Sequence, residues 1–359
     1  MAKHSFDSLQ CLAASVALLL ASGIIGCTAS VDDSFVGRPA IALSPSGALV
    51  LVGRSLINKV STTGYAASWN EGAVFTPLSD LGVGGPGNGV DDYDAMSILP
   101  DGSIGVVTAH GNVISNVDYR NLVVSAGTVQ LGPTKGIVNH GLGFCAYPGL
   151  VTLPDGNLLT VFACNQITIR TQLSTDLGAT WQPNTIAYTA SGRTLDTLGM
   201  ALLSNGKLML VFGEFQQATG LGSPVYMIGT IGPGDAVTWS APVAVPTPSQ
   251  WASCWAPSPV VQLSNGTILW PVWCQHSTGY YSSTVLISTD GGATWPTQVI
   301  VGNGPRDGRN YDESALAVYP NGDVIMILRQ TTIEPHGTWW RSKSTDGGLT
   351  WTHPVKALE

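Results

Sequence analysis

One short phrase recurs six times along the chain: an apolar run, a turn that ends in glycine, and a second apolar run. The copies are LSPSGALVLV (43–52), LPDGSIGVV (99–107), LPDGNLLTVF (153–162), LSNGKLMLVF (203–212), LSNGTILWPV (263–272) and YPNGDVIMIL (319–328). The turn glycines follow one another in steps of 55, 54, 50, 60 and 56 residues. Such a period with one hairpin per repeat is typical of β-propeller blades, because helical repeats are shorter. We therefore predict an all-β fold, a six-bladed β-propeller with four-stranded antiparallel blades.

A second pattern, S-x-D-x-G-x-T-W, occurs as STDLGATW (174–181), STDGGATW (288–295) and STDGGLTW (344–351). This is the Asp-box pattern. Its aspartate can accept backbone N–H groups within a tight turn, its glycine allows a positive φ, and its tryptophan supplies an apolar anchor. We interpret the box as a structural turn of each blade and not as a catalytic motif. GPGDAVTWS (232–240) is a degenerate copy in the fourth repeat.

The N-terminus has the composition of an export signal. A weakly basic start precedes the apolar stretch CLAASVALLLASGIIGC (11–27), which is short for a membrane-spanning helix and suits a signal-peptide core. The segment that ends at Cys27 is similar to a bacterial lipobox. We predict a lipoprotein signal peptide at 1–26, lipidation of Cys27, a tether at 27–35 and the propeller at 36–359. The product would be a bacterial cell-envelope lipoprotein, and an ordinary cleaved signal of a secreted protein is the alternative.

The charge composition limits the possible partners. Charged residues make up 11% of the chain, against about 25% in an average soluble domain, and the net charge is -8. A chain without a basic stripe is unsuited to nucleic acid or to an anionic membrane surface. We expect a monomer whose contact with a membrane is made through the lipid anchor alone.

Four cysteines lie in two pairs around turns of the repeat. Cys145 and Cys164 flank the third turn, and Cys254 and Cys274 flank the fifth. Residues equidistant from the turn of a hairpin lie opposite each other, and an exported protein can keep disulfides. We predict the bonds Cys145–Cys164 and Cys254–Cys274. Metal binding is the alternative, but neither CxxC spacing nor partnering histidines are present, so no metal is predicted.

Charged and aromatic residues concentrate at one edge of the predicted blades. The beginning of each first strand and the end of each second strand meet at one face of a propeller, around the channel, where ligands bind by default. Positions nine or ten before and seven or eight after the turn glycines include Arg38, Arg54, Asp92, Tyr93, His110, Tyr147, Asp196, Glu214, Trp273, Asp312, Glu313 and Arg329. Arginines that face each other across a hairpin repel unless an anion lies between them, and guanidinium groups bind carboxylates. A rim of solvated charge and a structural His110 are the plainer interpretations.

These features resemble the sialidase (neuraminidase) superfamily, six-bladed propellers with Asp-box (BNR) repeats. GRPAIALSPSGALVLVGR (37–54) is similar to the opening segment of that family, and DESALAVYPNGDVIMILR (312–329) is similar to its glutamate segment. The resemblance implies an arginine triad for a substrate carboxylate, a tyrosine nucleophile paired with a glutamate, and an aspartate as acid/base, an exception among glycosidases. It assigns Arg38 and Arg329 to the triad and Glu313 to the nucleophile's partner.

The chain departs from the family pattern in three places. The opening reads Arg-Pro-Ala, without the isoleucine that follows the arginine in the family. Residues 55–79 contain no aspartate, so Asp92 or Asp94 is expected to serve as acid/base. The third arginine and the tyrosine of the family lie beyond the glutamate segment, so we expect either a longer native chain or a different set of residues. Arg54 is our own candidate for a third arginine, and Tyr93 and His110 complete the expected substrate-binding set.

The expected function is that of an exo-sialidase-like glycoside hydrolase that acts on an anionic sugar of the sialic-acid type. A non-catalytic glycan-binding or surface-interaction propeller with the same arginine rim is the alternative, and a different glycosidase or a lyase on this scaffold is a further one. In each case the predicted partner is a carbohydrate. No metal or organic cofactor is implied by the sequence.

Overall fold

A computed structural model describes residues 34–35, 37–57, 60–82, 93–110, 116–139, 142–216, 218–219, 221–331 and 338–357. The predicted signal peptide, most of the tether and Cys27 lie outside these ranges, as does the candidate Asp92. His110 belongs to a described strand, but its side chain lies outside the description. The fold given below is that of the unit Asp32–Glu359. Within the described ranges, no helix is long and apolar enough to cross a bilayer.

The chain folds into six consecutive antiparallel sheets, which are the blades of an all-β propeller. Blade 1 contains β1 (Ser34–Phe35), β2 (Ala40–Leu43), β3 (Leu49–Ile57), β4 (Val60–Ser68) and β5 (Ser79–Asp80). Blade 2 contains β6 (Tyr93–Ile98), β7 (Ile104–His110), β8 (Asn116–Ser125) and β9 (Thr128–Asn139). Blade 3 contains β10 (Cys145–Thr152), β11 (Leu158–Cys164), β12 (Thr168–Ser174) and β13 (Thr185–Thr189).

The second half of the ring repeats this plan. Blade 4 contains β14 (Arg193–Leu202), β15 (Leu208–Gln216), β16 (Gly222–Ile231), β17 (Val237–Trp239) and β18 (Val243–Ala244). Blade 5 contains β19 (Trp251–Trp255), β20 (Val261–Gln262), β21 (Ile268–His276), β22 (Tyr281–Ser288) and β23 (Thr297–Gly302). Blade 6 contains β24 (Tyr311–Val318), β25 (Val324–Gln330), β26 (Trp339–Ser344) and β27 (Val355–Lys356).

Each blade has four strand positions. The innermost position of blades 1 and 5 and the outermost position of blade 4 are each divided into two short pieces that pair with the same neighbour. The six repeated turns join the first and second positions, and their glycines have φ between 77° and 92°. A residue with a side chain is disfavoured at such φ values, which explains why glycine recurs there.

The blades are held together by apolar layers between neighbouring sheets. The second strand of blade 3, β11, is buried along its whole length, because blades 2 and 4 cover its two faces. The third strand, β12, shows mixed burial. Continuous apolar runs in inner strands and looser alternation further out follow from this packing.

The Asp-box forms a closed hydrogen-bonded turn at each of its three copies. In the fifth blade the Ser288 hydroxyl donates to Asp290 Oδ1 (2.7 Å) and accepts from the Gly292 amide (2.9 Å). The Thr294 amide and hydroxyl both donate to the Asp290 carboxylate, at 2.9 and 2.6 Å. The bonds hold the turn that follows β22, so the box has a structural explanation.

A fourth box, SWNEGAVF (68–75), follows β4 in blade 1 and was not recognised in the sequence. Its Asn70 Oδ1 accepts from the Ser68 hydroxyl (2.8 Å) and from the Val74 amide (2.8 Å), as the aspartate does elsewhere. Asparagine, valine and phenylalanine replace three consensus residues, which hid the match. The degenerate GPGDAVTWS segment instead forms a 3-10 turn, Pro233–Asp235.

Replacing Asp290 with asparagine is expected to lower the thermal midpoint at pH 6 and to have a smaller effect as the pH approaches 2. Hydrogen bonds from the Thr294 hydroxyl and amide, and then from the Ser288 hydroxyl, lower the pKa of Asp290 to about 2. The unfolded value is about 4, so the carboxylate stabilises the fold above that pH, and the gain is lost as the pH falls through 2. Thermal melts of both proteins at pH 6, 4 and 2.5 measure this. A difference in midpoint that does not change with pH would contradict it.

Two disulfides close hairpins of blades 3 and 5. The structure bonds Cys145 to Cys164 and Cys254 to Cys274, and each pair also faces across the first and second strands in register. Both bonds lie at the ends of the hairpins that are remote from the glycine turns. They therefore fix the strand ends that surround the channel mouth.

Blade 6 meets blade 1 through side chains. The indole N–H of the buried Trp339 donates to the Gly37 carbonyl (2.9 Å), and a Cβ on Gly53 would lie 2.6 Å from the Trp339 ring. Lys343 forms ion pairs with Glu71 of blade 1 (2.5 Å) and with Asp323 of its own blade (2.7 Å). In the described part of the chain these two blades share no strand, so their side chains close the ring.

A single helical turn, α1 (Gly304–Asp307), connects blades 5 and 6. Asn303 caps it by accepting a hydrogen bond from the Arg306 amide, and Gly308 ends it at φ 63°. Pro305 is the second residue of the turn, where its missing N–H removes no intrahelical hydrogen bond. The turn leads the chain into β24, which carries Asp312 and Glu313.

Candidate functional site

Irregular backbone marks the mouth of the channel. The pairing of the first and second strands shifts after Ala146 in blade 3, after Asp196 in blade 4 and after Tyr311 in blade 6. Within the shifts, Tyr147 has φ 57° and Thr197 has φ 50°. Such bulges re-aim side chains, and a β-branched residue at positive φ is unusual and costly. Strain of this kind at a cleft suggests a functional site.

Seven side chains from five blades form what we call the axial cluster: Arg38, Tyr93, Tyr147, Asp196, Asp312, Glu313 and Arg329. The Arg38 guanidinium lies 5.0 Å from the centroid of the Tyr93 ring. The Tyr93 and Tyr147 ring centroids are 4.4 Å apart. Tyr147 in turn forms a side-chain hydrogen bond with Asp196. Arg38 and Glu313 are close enough to Asp196 for their charges to shift its pKa. Residues from blades 1, 2, 3, 4 and 6 thus surround one site.

Glu313 and Arg329 form the central ion pair of the axial cluster. Arg329 Nη1 lies 2.5 Å from Glu313 Oε2, and the two side chains are 26% and 8% exposed. They come from the start of β24 and the end of β25, as the repeat geometry predicts. Asp312 lies beside them, and its Oδ2 accepts a hydrogen bond from the Thr331 hydroxyl (2.9 Å). The contact between the guanidinium and the carboxylate is a charge-assisted hydrogen bond.

Arg38 is almost completely buried, at 3% exposure. Its Nη1 donates to the carbonyls of Pro257 (2.5 Å) and Leu198 (3.4 Å), and its Nη2 donates to the Asp94 carbonyl (3.2 Å). One cation from blade 1 therefore binds the backbone of blades 2, 4 and 5. This arrangement orders the channel mouth and reduces the number of N–H groups that Arg38 can offer to a ligand.

Two carboxyl groups of the axial cluster have raised pKa values. Burial raises the pKa of Asp196 to about 6, and the Glu313 charge adds to this effect, whereas the Tyr147 hydrogen bond and Arg38 oppose it. Burial likewise raises the pKa of Asp312; Arg329 opposes the shift and the Glu313 charge adds to it. Asp196 Oδ1 and Asp312 Oδ1 are shielded from solvent and lack a hydrogen-bond partner in the described part of the chain. Two carboxyls with raised pKa values thus lie near one ion-paired carboxylate.

The other predicted site residues are placed as follows. Asp94 is buried in the channel wall, where its Oδ1 accepts a hydrogen bond from the Thr108 hydroxyl. Arg54 is half-buried near the end of β3, and its Nε lacks a partner within the described ranges. Asp92 and the side chain of His110 lie outside those ranges. The structure therefore brings Arg38, Tyr93, Glu313 and Arg329 together.

Tyr147, Asp196 and Asp312 were not among the residues predicted to act in the site. All three lie at rim positions nine or ten residues before a turn glycine. The spacing from the repeated turns could therefore have identified them as site residues. Their contacts with one another depend on the closed ring, which joins residues far apart in sequence.

Arg38 of the axial cluster also lines a cavity in the channel. All six blades contribute to its wall, through residues 38–41, 94–96, 148–150, 198, 200, 258–259 and 315–316. Among the described residues, no group of three or more His, Cys, Asp or Glu side chains could hold a metal ion.

Solved propellers share this fold. An α-L-arabinanase of Penicillium chrysogenum complexed with arabinobiose matches with TM-score 0.63 and 14% identity, over 86% of this chain and 93% of that one. A polysaccharide lyase, a PL25 ulvan lyase bound to -[GlcA(1-4)Rha3S]-, matches with TM-score 0.54 and 12% identity, over 90% and 84%. A Hadza microbial sialidase, Hz136, matches with TM-score 0.47 and 17% identity, over 70% and 57%. The chain thus spans 57% of that sialidase, and 39% of a Trypanosoma rangeli sialidase.

At these identities the solved structures establish the fold alone. A search of the curated proteins found no match. The model of the family described as BNR repeat-like domain matches residues 163–358, more than half of the chain. This match covers all three consensus Asp-boxes, whose turns the structure shows to be closed by the same hydrogen bonds. The chain therefore belongs to the BNR repeat-like domain family.

Proposed function

We propose that the protein is a glycoside hydrolase that acts on an anionic sugar of the sialic-acid type at the channel mouth. The observation that carries this proposal is the axial cluster, in which an ion-paired carboxylate and two carboxyls of raised pKa converge from different blades. Groups whose pKa values are pushed apart by their surroundings are the usual acid and base of a glycosidase.

The charge balance of the axial cluster favours an anionic substrate. When Asp196 and Asp312 are protonated, Arg38 and Arg329 outnumber the carboxylate of Glu313. This excess of positive charge within the cluster supports binding of a sugar carboxylate through charge-assisted hydrogen bonds. Because the Arg38 guanidinium is held by backbone carbonyls, we assign direct contact with the sugar to Arg329.

The proposed chemistry divides between two carboxyl groups. Asp196, protonated below about pH 6, gives its proton to the glycosidic oxygen as the bond to the anomeric carbon breaks and its electron pair moves to that oxygen. Glu313 accepts a proton from a water molecule whose oxygen forms the new bond to the anomeric carbon, so the sugar is released with a hydroxyl group and the leaving alcohol carries the proton from Asp196. The two carboxyl groups then return to their starting protonation states by exchanging protons with solvent. Tyr147 positions Asp196 through their hydrogen bond. This assignment places Asp196 in the role for which Asp92 and Asp94 were candidates.

Two propellers with the same fold support a carbohydrate ligand. The arabinanase structure contains arabinobiose, and the lyase structure contains a glucuronic acid-rhamnose sulfate unit. The second of these ligands is anionic. Neither specifies the sugar bound here, which is why the proposal rests on the charge balance of the axial cluster.

Replacing Glu313 with glutamine is expected to reduce kcat by on the order of 100- to 10,000-fold, because the base is removed with little change in shape. Hydrolysis of a fluorogenic sialoside by wild type and variant measures this. Glu214→Gln is the matched control, because Glu214 is a rim carboxylate outside the axial cluster. It accepts a hydrogen bond from the Tyr188 hydroxyl (2.8 Å) and forms an ion pair with Arg193 (3.7 Å). Equal losses in the two variants, or equal activity of Glu313→Gln and wild type, would contradict the assigned role.

A glycan-binding propeller is the second candidate, and the burial of Arg38 favours it. A guanidinium that binds three backbone carbonyls leaves a smaller arginine set for catalysis. This candidate predicts no turnover, together with binding of sialylated glycans that Arg329→Gln abolishes. Neither turnover nor binding of any anionic glycan would contradict both candidates.

A further inference from the structure

Four aromatic rings cluster at the channel mouth, three from blade 5 and one from blade 4, and we call them the aromatic platform: Phe215, Trp255, Trp273 and Tyr281. The Trp255 and Trp273 rings stack, with centroids 3.9 Å apart and planes within 5°. Phe215 of blade 4 extends the stack on Trp255 at 5.4 Å. Tyr281 meets the Trp273 ring at 4.9 Å and 81°. The rings form a continuous apolar wall.

The aromatic platform lies in the same layer as the axial cluster. The residues seven positions after the six turn glycines are Arg54, Ala109, Ala163, Gly213, Trp273 and Arg329. Blade 5 thus places Trp273 where blade 6 places Arg329 and blade 4 places Gly213, the register partner of Asp196. Trp255 faces Trp273 across the hairpin and is two residues before Pro257, whose carbonyl binds Arg38. The platform therefore borders the proposed reaction site.

The platform differs from the apolar packing between blades. Trp270 and Trp339 are fully buried core residues, whereas Trp255, Trp273 and Tyr281 remain half-buried at the mouth. Half-exposed aromatic rings at the edge of a cleft are suited to a ligand that offers an apolar face.

A disulfide holds the platform in place. The Cys254–Cys274 pair is adjacent in register to the Trp255–Trp273 pair, so the covalent bond lies one residue from the stacked rings. Rings fixed before binding lose little conformational entropy when a ligand arrives. The disulfide thus holds the strand positions of the two stacked indoles as well as closing the hairpin.

We propose that the aromatic platform binds the uncharged sugar ring that is linked to the anionic one. Its four side chains carry no charge, so they offer no ion pair to a carboxylate, while the C–H groups of a pyranose ring can pack on the exposed parts of the aromatic rings. The platform would therefore make the protein prefer an oligosaccharide to an isolated anionic sugar. This inference rests on the proposed function for the position of the anionic ring.

The test compares three ligands with calorimetry: 3′-sialyllactose, free N-acetylneuraminic acid and lactose. The reference protein, called wild type in this test, and all variants also carry Asp196→Asn, so that the sialoside is not hydrolysed during the titration. In wild type, 3′-sialyllactose is expected to bind about tenfold more tightly than the free acid, which is the gain from one good aromatic contact. Trp273→Ala is expected to remove this advantage and the weak binding of lactose, while binding of the free acid changes less than about twofold. Trp295→Ala is the matched control, because Trp295 is a half-buried tryptophan of the Asp-box at the other end of the same blade.

The outcomes separate the platform from the proposed function. Loss of lactose binding in Trp273→Ala, with retention in Trp295→Ala and in Arg329→Gln, supports the platform even if the free acid does not bind at all. Equal affinities of Trp273→Ala and wild type for lactose and for 3′-sialyllactose overturn it, whatever the free acid does. Equal losses in Trp273→Ala and Trp295→Ala, with lowered melting midpoints in both, also overturn it, because they show a general effect on the fold.

Discussion

Replacing Trp339 with alanine is expected to lower the free energy of unfolding by about 3 to 5 kcal/mol, the usual cost of removing a buried tryptophan. The side chain is 2% exposed, packs against Gly53 and donates to the Gly37 carbonyl across the junction of blades 6 and 1. The variant loses apolar burial and leaves a cavity and an unpaired carbonyl at the point where the ring closes. Chemical denaturation of wild type and variant measures the difference.

Trp340→Ala is the control for this prediction. Trp340 is the next residue of the same strand, remains half-buried and packs with Arg309, whose guanidinium lies 4.4 Å from its ring. We expect a loss of about 1 kcal/mol there, because a half-exposed ring removes less surface from water. Similar losses of unfolding free energy in the two variants would show that the junction of blades 6 and 1 contributes no more to stability than a half-buried surface contact.

Replacing Asp196 with asparagine is expected to stabilise the protein at pH 8 and to reduce the hydrolytic activity that we propose. The folded-state pKa of Asp196, about 6, lies above the unfolded value of about 4. The contribution of this group to the free energy of unfolding is therefore fully present below pH 4 and is lost as the pH rises through 6. Asparagine cannot ionise, and the variant should gain about 1 to 3 kcal/mol at pH 8 and almost nothing at pH 4. The proton donor is lost at the same time.

Unfolding curves at pH 4 and pH 8, together with turnover of a sialoside at pH 5, test both halves of this prediction. Stabilisation at pH 8 with full activity would remove Asp196 from the mechanism while leaving its electrostatics intact. Equal stabilisation at both pH values would contradict the raised pKa. Residues of functional sites often lower the stability of the fold. A variant that is more stable but less active is therefore expected when such a residue is replaced.

The regular features of the fold could be predicted because they are local. Gly156 and Gly266 mark turns within a few residues of the strands that they join, and disulfide pairing follows from symmetry about those turns. Glu313 and Arg329 face each other for the same reason, as opposite positions of one hairpin. Only the box SWNEGAVF was missed among these features, because three of its consensus residues are replaced.

The composition of the axial cluster could not be predicted in the same way. Arg38 binds carbonyls that lie 56, 160 and 219 residues further along the chain. Tyr147 reaches Asp196 because its strand bulges at that point, and a bulge leaves no plain mark in a sequence of apolar residues. The rim positions could be read from the repeat and gave the candidate residues. Which of these candidates contact one another depends on the closed ring and could not be predicted.

The junction of blades 6 and 1 is a line of side-chain contacts, which we call the seam, and it extends to the channel mouth. On one side of the seam stand Glu313 and Arg329, and on the other stands Arg38, next to the Gly37 carbonyl that Trp339 holds. The two parts of the axial cluster are thus held together by contacts that join opposite ends of the described polypeptide. The cluster exists only in the closed ring, because no individual blade contains all of its residues.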